Sequence, residues 1–297
     1  MFDFQKGRIK LIRGGGYPHC HTVFIDDEIR VFIDAASRED TLKAIHKERP
    51  VNIIITSHGH EDHIMYNYLF PQASLWVPEA DAPIFRGIKD FIGSFIDLYG
   101  LSEEDYILWE EFLSKECHYT PREPDRLLRD GDILKFGETT TEVIHTPGHT
   151  PGHCAFHFLE ERVLYLADLD LVKAGPYYGD PSSDLDETIR SLNRVASIDV
   201  DTYLTAHGKG IYEGDPIHIH RYLDTIRDRE EKLLGLLQKG PKTLDEITKE
   251  GIIYGNHKAI AQWDLSLSEK GMMKKHLERI ERQARVTKEG DYYHIVR

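Results

Sequence analysis

The chain has 297 residues, of which 37 are basic and 51 acidic, so its formal net charge is -14. Hydrophobic residues make up 40% of it, which provides a packed core and excludes wholesale disorder. No stretch approaches the roughly 18 consecutive apolar residues that span a bilayer, and the first residues lack the apolar run of a secretory signal. Three cysteines are too few for a disulfide framework. We therefore expect a cytoplasmic protein without a membrane partner.

The first predicted elements form a β-rich block. Apolar runs over residues 29–37 and 51–58 predict two strands, and the intervening stretch 40–48 has helical periodicity. The part 51–55 is mostly apolar, which is typical of a strand buried on both faces. A second helical pattern follows over 63–70.

A helical insertion is predicted over about 80–116. Its first helix carries one apolar stripe, made of Ile88, Phe91, Ile92, Phe95, Ile96 and Tyr99. Gly100 is expected to end that helix, and Ser102 and Asp105 have the spacing of a capping box for the next one. We expect the stripe to pack on the core; a lid or a homodimer surface is the alternative.

A second β-rich block lies between residues 132 and 172, where turns separate four short β patterns. A helical pattern over 184–198 and a last strand over 201–208 follow. Two blocks of strands, each followed by helices, predict an α/β fold in which two sheets pack together with helices outside.

The charge balance changes near residues 215–222. Residues 1–220 hold 21 basic and 38 acidic side chains, whereas the rest of the chain holds 16 and 13. Turn-forming residues occupy the same stretch. We therefore predict a first domain over 1–216 and a second over 217–297.

The second domain is predicted to contain helices over 217–240, 243–251 and 269–286, then a β-hairpin turning at 289–291. This order is winged-helix-like. The last predicted helix carries basic side chains interrupted by acidic ones: Lys274, Lys275, Arg279, Arg282 and Arg285. A balance of +3 beyond residue 220 is a weak basis for binding phosphates, so we do not expect a nucleic-acid partner.

Many of the 17 histidines are gathered rather than scattered. The predicted strand at 51–55 leads into the pattern H-x-H-x-D-H, formed by His58, His60, Asp62 and His63. Residues two apart in an extended segment point the same way, so His58 and His60 can hold one ion. A turn into a helix then brings Asp62 and His63 toward a second ion.

Three further candidates follow later strands. His149 lies in the motif TPGHTPGH, whose Pro-Gly pairs fix an irregular backbone at a sheet edge. Asp168 and His207 each follow an apolar run. His153 ends the motif and either supports a ligand, faces the substrate or only packs.

In this order, the motifs resemble the metallo-β-lactamase superfamily over roughly residues 8–212. The resemblance implies a four-layer αββα sandwich with a dinuclear metal centre at one edge of the sheets. It implies one ion held by His58, His60 and His149. It implies a second ion whose ligands are Asp62, His63 and His207, with Asp168 bridging both ions. The motif ending in His153 is most similar to the glyoxalase II, lactonase and β-lactamase-like protein 2 branches, the last of which has a similar C-terminal tail.

The sequence also departs from some branches of the superfamily. Antibiotic-degrading members place cysteine in the second metal site, where Asp168 stands here. Flavodiiron members have H-x-E where this chain has His58 and His60. Ala167 replaces the glycine usual before the bridging aspartate, and Asp170 is the alternative bridge two residues on.

Imidazole and carboxylate ligands suit zinc, and also manganese or iron. Two such ions lower the pKa of a bridging water from about 15.7 to about 7 and so generate the nucleophile. We expect this water and Asp62 to be the catalytic groups. The centre keeps a charge of about +1, which favours an anionic or strongly polarised small-molecule substrate.

The leading hypothesis is a hydrolase of small-molecule esters, thioesters or lactones. The alternatives are a phosphodiesterase or endoribonuclease acting on RNA, and a non-catalytic metal-containing binding protein. A separate metal site at His19, Cys20 and His21 is a weaker hypothesis.

Overall fold

The computed structural model describes residues 2–99, 103–255 and 265–296, without the side chains of 95–99 and 105. Its first sheet consists of strands in chain order, antiparallel from β1 to β4 and parallel from β4 to β7. These strands are β1 Phe4–Lys6, β2 Ile9–Ile12, β3 Thr22–Ile25, β4 Val31–Ile33, β5 Ile53–Ile55, β6 Ser74–Pro78 and β7 Arg126–Leu128.

The second sheet has the order β13-β12-β11-β10-β9-β8. Only β11 and β12 pair in parallel within the described part of this sheet. Its strands are β8 Ile133–Lys135, β9 Thr140–His145, β10 Cys154–Phe158, β11 Val163–Tyr165, β12 Thr202–Leu204 and β13 Ile211–Glu213.

The two sheets share one core because strand residues alternate between the two faces. In β10, Phe156 and Phe158 are fully buried against the first sheet, whereas Ala155 faces helices. Those outer helices include α5 (Leu185–Ala196), and α1 (Glu39–Glu48) covers the first sheet. The predicted αββα sandwich is therefore confirmed.

The helical pattern predicted over 63–70 is split in the structure. Helix α2 spans Glu61–Ile64, and a short 3-10 helix spans Asn67–Leu69. The break occurs where the Tyr66 N–H donates to the Ala35 carbonyl at 3.0 Å instead of to a helical carbonyl. This contact ties the segment to the end of β4.

The predicted insertion contains a 3-10 helix (Glu79–Phe85), α3 (Ile88–Tyr99) and α4 (Glu103–Lys115). Phe91 and Ile92 are buried in the core and half-buried Ile88 packs against it, as expected of the stripe. The remaining predicted features lie outside what the structure describes: the side chains of Phe95, Ile96, Tyr99 and Asp105, and residues Gly100 and Ser102.

The C-terminal part has a core of its own. Its elements are α6 Ile217–Leu237, β14 Lys242–Thr243, α7 Leu244–Glu250, α8 Ser266–Arg282, β15 Val286–Glu289 and β16 Tyr292–Ile295. Thr243 and Glu246 form a reciprocal capping box at the start of α7. The domain boundary and the winged-helix assignment stay predictions.

Among the described helices, none has both the length and the apolar character needed to cross a bilayer.

Candidate metal centre

The candidate ligands lie on loops that follow strands of both sheets. The loop and helix after β5 carry His58, His60, Asp62 and His63. His149 lies between β9 and β10, and the remaining two, Asp168 and His207, follow β11 and β12. The structure brings all seven side chains together in two adjoining groups.

The first group, here called the first triad, consists of His58, His60 and His149. His58 Nε2 lies 3.1 Å from His60 Nδ1 and 3.2 Å from His149 Nε2. His60 Nδ1 lies 3.0 Å from His149 Nε2. Nitrogen ligands bound tetrahedrally to one zinc ion are about 3.3 Å apart, so the spacing fits a metal site.

The second triad consists of Asp62, His63 and His207. His207 Nε2 lies 3.2 Å from Asp62 Oδ2, and His63 Nε2 lies 3.8 Å from Asp62 Oδ1. Asp168 joins the triads, because its Oδ1 is 2.9 Å from His63 Nε2 and its Oδ2 is 3.3 Å from His149 Nε2. Asp168, rather than Asp170, thus has the geometry of a bridging carboxylate.

Two buried atoms support a cation at this position. His63 Nε2 and Asp168 Oδ1 have no hydrogen bond of acceptable geometry with any described residue, although they lie close together. Buried polar groups are rarely left unpaired. A divalent ion between them would satisfy both, and the imidazole and carboxylate donors match zinc, manganese or iron.

The model of the metallo-beta-lactamase superfamily matches residues 15–207 of the chain. The chain belongs to the metallo-beta-lactamase superfamily. It is accordingly a metal-dependent hydrolase, and its histidine-rich motif resembles the dinuclear sites of this superfamily.

Curated relatives of the chain differ in how much of its length they match. An uncharacterized protein of Aquifex aeolicus is 30% identical over 166 residues, which are 56% of this chain and 71% of that protein. A hydroxyacylglutathione hydrolase of Rhizobium etli is 39% identical over 69 residues, 23% of this chain and 27% of the hydrolase. A human acyl-coenzyme A thioesterase is 25% identical over 138 residues, 46% of this chain and 45% of the thioesterase. The chain thus spans less than half the length of these two named enzymes.

Two solved structures share the fold over almost the whole chain. A metallo-beta-lactamase family protein of Thermus thermophilus has a TM-score of 0.75 and 22% identity, covering 97% of this chain and 99% of its own. A beta-lactamase domain protein of Burkholderia ambifaria has a TM-score of 0.75 and 19% identity, covering 99% and 96%. At this identity the likeness shows the fold alone.

The first triad of this superfamily member is supported by an irregular segment after β11. Asp180 Oδ2 lies 2.9 Å from His60 Nε2, the ring nitrogen that faces away from the triad. The Tyr177 carbonyl lies 3.0 Å from His149 Nδ1. Both contacts fix the ring orientation and leave the opposite nitrogen directed at the centre.

The second triad is supported from strand ends. Asp34 directly follows β4 with φ 57°, and its Oδ2 lies 3.0 Å from His63 Nδ1. Its Oδ1 accepts a hydrogen bond from the Ser57 N–H at 2.7 Å. The Asp170 carboxylate accepts one from the His207 N–H at 3.0 Å.

His153 lies beside the backbone of Asp168 and is closed off from solvent. It is fully buried, and its Nε2 accepts the Asp168 N–H at 3.1 Å. Its Nδ1 lies 2.8 Å from Thr146 Oγ1.

Sequence reasoning missed Asp34, Asp81 and Asp180. Asp81 ties two ligand loops together, since it accepts hydrogen bonds from the N–H groups of Gly59 at 2.9 Å and Gly152 at 2.7 Å. Asp34 had a usable signal, an aspartate directly after an apolar run. Asp81 and Asp180 lie far along the chain from the residues they support, and no local pattern marks them.

Electrostatics favour the protonation state that a metal ligand needs at some of these residues and oppose it at others. Burial opposes protonation of His207, yet the Asp168 and Asp170 carboxylates raise its pKa well above 6.5, and this proton would leave when a metal binds. Burial lowers the pKa of His58 well below its usual 6.5. Burial opposes ionisation of Asp168, yet the positively charged rings of protonated His63 and His207 hold its pKa well below 3.8. A neutral His58 and an ionised Asp168 are the forms that bind a metal. Burial, together with the Asp168 carboxylate, raises the pKa of Asp170 to about 7.

The separate site at His19, Cys20 and His21 is not assembled among the described residues. His21 Nδ1 accepts the Gly14 N–H at 3.0 Å, and its Nε2 lies 3.3 Å from the Gly208 carbonyl. Both ring nitrogens of His21 are therefore engaged with the backbone.

Proposed function

We propose that the chain binds two divalent metal ions and hydrolyses small-molecule thioesters. The observation that carries this proposal is the pair of triads sharing one carboxylate, Asp168. The named relatives, a hydroxyacylglutathione hydrolase and an acyl-coenzyme A thioesterase, support a thioester as the substrate. Esters and lactones share the attacked carbonyl and remain secondary substrates.

The first triad would hold one ion, the second triad the other, and Asp168 would contribute one oxygen to each. When bound, two divalent ions polarise a substrate carbonyl and lower the pKa of water to about 7. The Asp62 carboxylate lies in the second triad, 3.2 Å from His207 Nε2, where it can orient an attacking water and accept its proton. His153 would hold Asp168 in position, and Asp34 would hold His63, without either touching the substrate.

The contacts of basic side chains at the C-terminal end favour a small substrate over RNA. Arg279 and Arg282 pair with Asp186 at 2.7 Å and 2.8 Å, and Arg285 pairs with Glu230 at 2.7 Å. These guanidinium groups are engaged within the protein. They are therefore poorly placed to form the continuous basic surface that a phosphate backbone needs.

The test is turnover of a substrate panel by metal-free and zinc-reloaded protein. The panel contains an acyl-coenzyme A, an acylglutathione thioester, a lactone and an activated phosphodiester. We expect thioester cleavage that is lost on chelation and restored by zinc, and that the His58→Ala variant lacks. His220→Ala, which removes an exposed histidine in the first turn of α6, is the matched control and should keep full activity.

Other outcomes would redirect the proposal. Thioesterase activity that survives complete metal removal would contradict it. Cleavage of the phosphodiester alone would favour RNA chemistry. Two bound ions with no turnover on the panel would favour the non-catalytic binding protein.

A further inference from the structure

We propose that the C-terminal helices position the ligands of the first triad through residues 174–183, here called the clamp segment. This inference rests on the proposed metal centre and adds positioning residues to it, chiefly Arg229 and His276. Neither residue lies in either triad.

On its outer side, the clamp segment is bound by α6. Arg229 is buried, with 3% of its surface exposed, and donates hydrogen bonds to the carbonyls of Ala174 and Pro176, the second at 2.8 Å. It also donates to the Tyr178 hydroxyl at 2.8 Å. Because a guanidinium group carries five donors in a fixed plane, one side chain fixes several points of the segment.

Helix α8 binds the same segment. The His276 ring is fully buried, and its Nε2 lies 2.7 Å from the Tyr178 hydroxyl. The Lys275 ammonium donates to the Pro181 carbonyl at 2.8 Å. Two helices of the C-terminal part thus converge on one irregular segment that follows β11.

On its inner side, the clamp segment contacts the first triad. The Tyr177 hydroxyl donates to Asp180 Oδ1 at 2.9 Å, and Asp180 Oδ2 lies 2.9 Å from His60 Nε2. The Tyr177 carbonyl lies 3.0 Å from His149 Nδ1. The Ser183 hydroxyl donates to the His149 carbonyl at 2.7 Å. Neighbouring residues 177 and 178 therefore link the triad to the helices.

The contacts of Arg229 and His276 do not reach the supports of the second triad. Those supports are Asp34 at the end of β4 and Asp170. Helix α6 touches the backbone of Asp170 through Tyr222, a separate contact. Loss of Arg229 should therefore loosen the first triad and leave the second intact.

The test measures zinc affinity at each site separately, by competition with a chromogenic chelator. The His207→Ala substitution weakens the second site, so zinc binding in this background measures the first site. The His60→Ala substitution weakens the first site, so zinc binding in that background measures the second. Supporting residues around a metal ligand change affinity by about 10–100-fold. Adding Arg229→Met should weaken zinc binding about tenfold in the His207→Ala background and leave it within about twofold in the His60→Ala background.

Arg282→Ala is the matched control, because Arg282 also joins the C-terminal part to the rest of the chain but binds Asp186 rather than the clamp segment. It should change neither affinity. Equal affinities with and without Arg229→Met, or equal losses at both sites, would overturn the inference while leaving the metal centre standing. A chain with natural sequence that binds no zinc would instead contradict the proposed function.

Circular dichroism of the metal-free proteins checks that the variants fold. If Arg229→Met does not fold, Tyr178→Phe takes its place in the affinity measurements, because it removes only the hydroxyl that contacts both Arg229 and His276. We expect Tyr178→Phe to weaken zinc affinity roughly threefold in the His207→Ala background and to leave it unchanged in the His60→Ala background. No loss there, or the same loss in both backgrounds, overturns the inference.

Discussion

The two triads of the candidate metal centre are supported by different parts of the chain. The second triad is supported by Asp34, which directly follows a buried strand, and by Asp170 shortly after β11. The first triad relies on Asp180 and Tyr177, which belong to an irregular segment bound by two C-terminal helices. One half of the centre thus depends on the sheets and the other on packing between distant parts of the sequence.

This difference has a consequence for stability. The strands that end at the second triad lie in the core shared by both sheets, so opening them requires global unfolding. The clamp segment has no regular secondary structure and is fixed by a few side-chain contacts. We expect metal binding at the first triad to be the more sensitive to changes far from the centre.

The largest expected loss of activity follows substitution of Asp168, the residue shared by the two triads. Asp168→Ala removes the shared carboxylate and leaves His63 Nε2 without its close acidic neighbour. We expect kcat/KM for thioesters to fall by about 10²–10³-fold, as for other losses of a central electrostatic group. The zinc content should fall below two per chain. Asp199→Ala, at an exposed ion pair with Arg162, is the control and should match the unmodified protein.

A pair of isosteric substitutions then sharpens the comparison of the triads. Asp180→Asn replaces the carboxylate beside His60, and Asp34→Asn replaces the one beside His63. Each should weaken zinc binding about 10–100-fold at its own triad only. Asparagine tolerates the left-handed backbone of residue 34, so a change at that position reports on the lost carboxylate.

Isothermal titration of zinc into each metal-free variant gives the two affinities. If Asp180→Asn and Asp34→Asn weaken the same ion, the two triads do not have separate supports and the comparison fails.

The smallest expected effect is a change in folding stability, at the contact between α5 and α8. Burial opposes ionisation of Asp186, but hydrogen bonds from Arg282 and Arg279 hold its pKa below the usual 3.8. A carboxylate with a lowered pKa stabilises the folded state above its unfolded pKa and loses that contribution as the pH falls through its folded pKa. The Asp186→Asn substitution should lower the free energy of unfolding by about 1 kcal/mol at pH 7, since the pair is partly exposed.

Urea denaturation at pH 7 and at successively lower pH, below 3.8, checks this prediction. The difference between the two proteins should shrink as the pH falls. A difference that stays constant over this range would show that Asp186 contributes by packing rather than by charge.

The sequence predicted the sandwich and the seven candidate ligands because both depend on local patterns. Apolar runs mark strands, and polar residues after them, such as Asp168 and His207, collect at one sheet edge. The split of the helix predicted over 63–70 could not be anticipated, since it depends on the hydrogen bond of Tyr66 with Ala35. Asp180 was missed for the same reason, because its role depends on a contact with His60, which lies far away in the sequence.

The most direct test of the metal centre is the zinc content of the purified protein and two variants, measured by elemental analysis after dialysis. We expect two ions per chain in the unmodified protein and one in each of His60→Ala and His207→Ala, which disrupt different triads. No bound transition metal in the unmodified protein, or the same metal content in all three proteins, would contradict a centre built from two triads around Asp168.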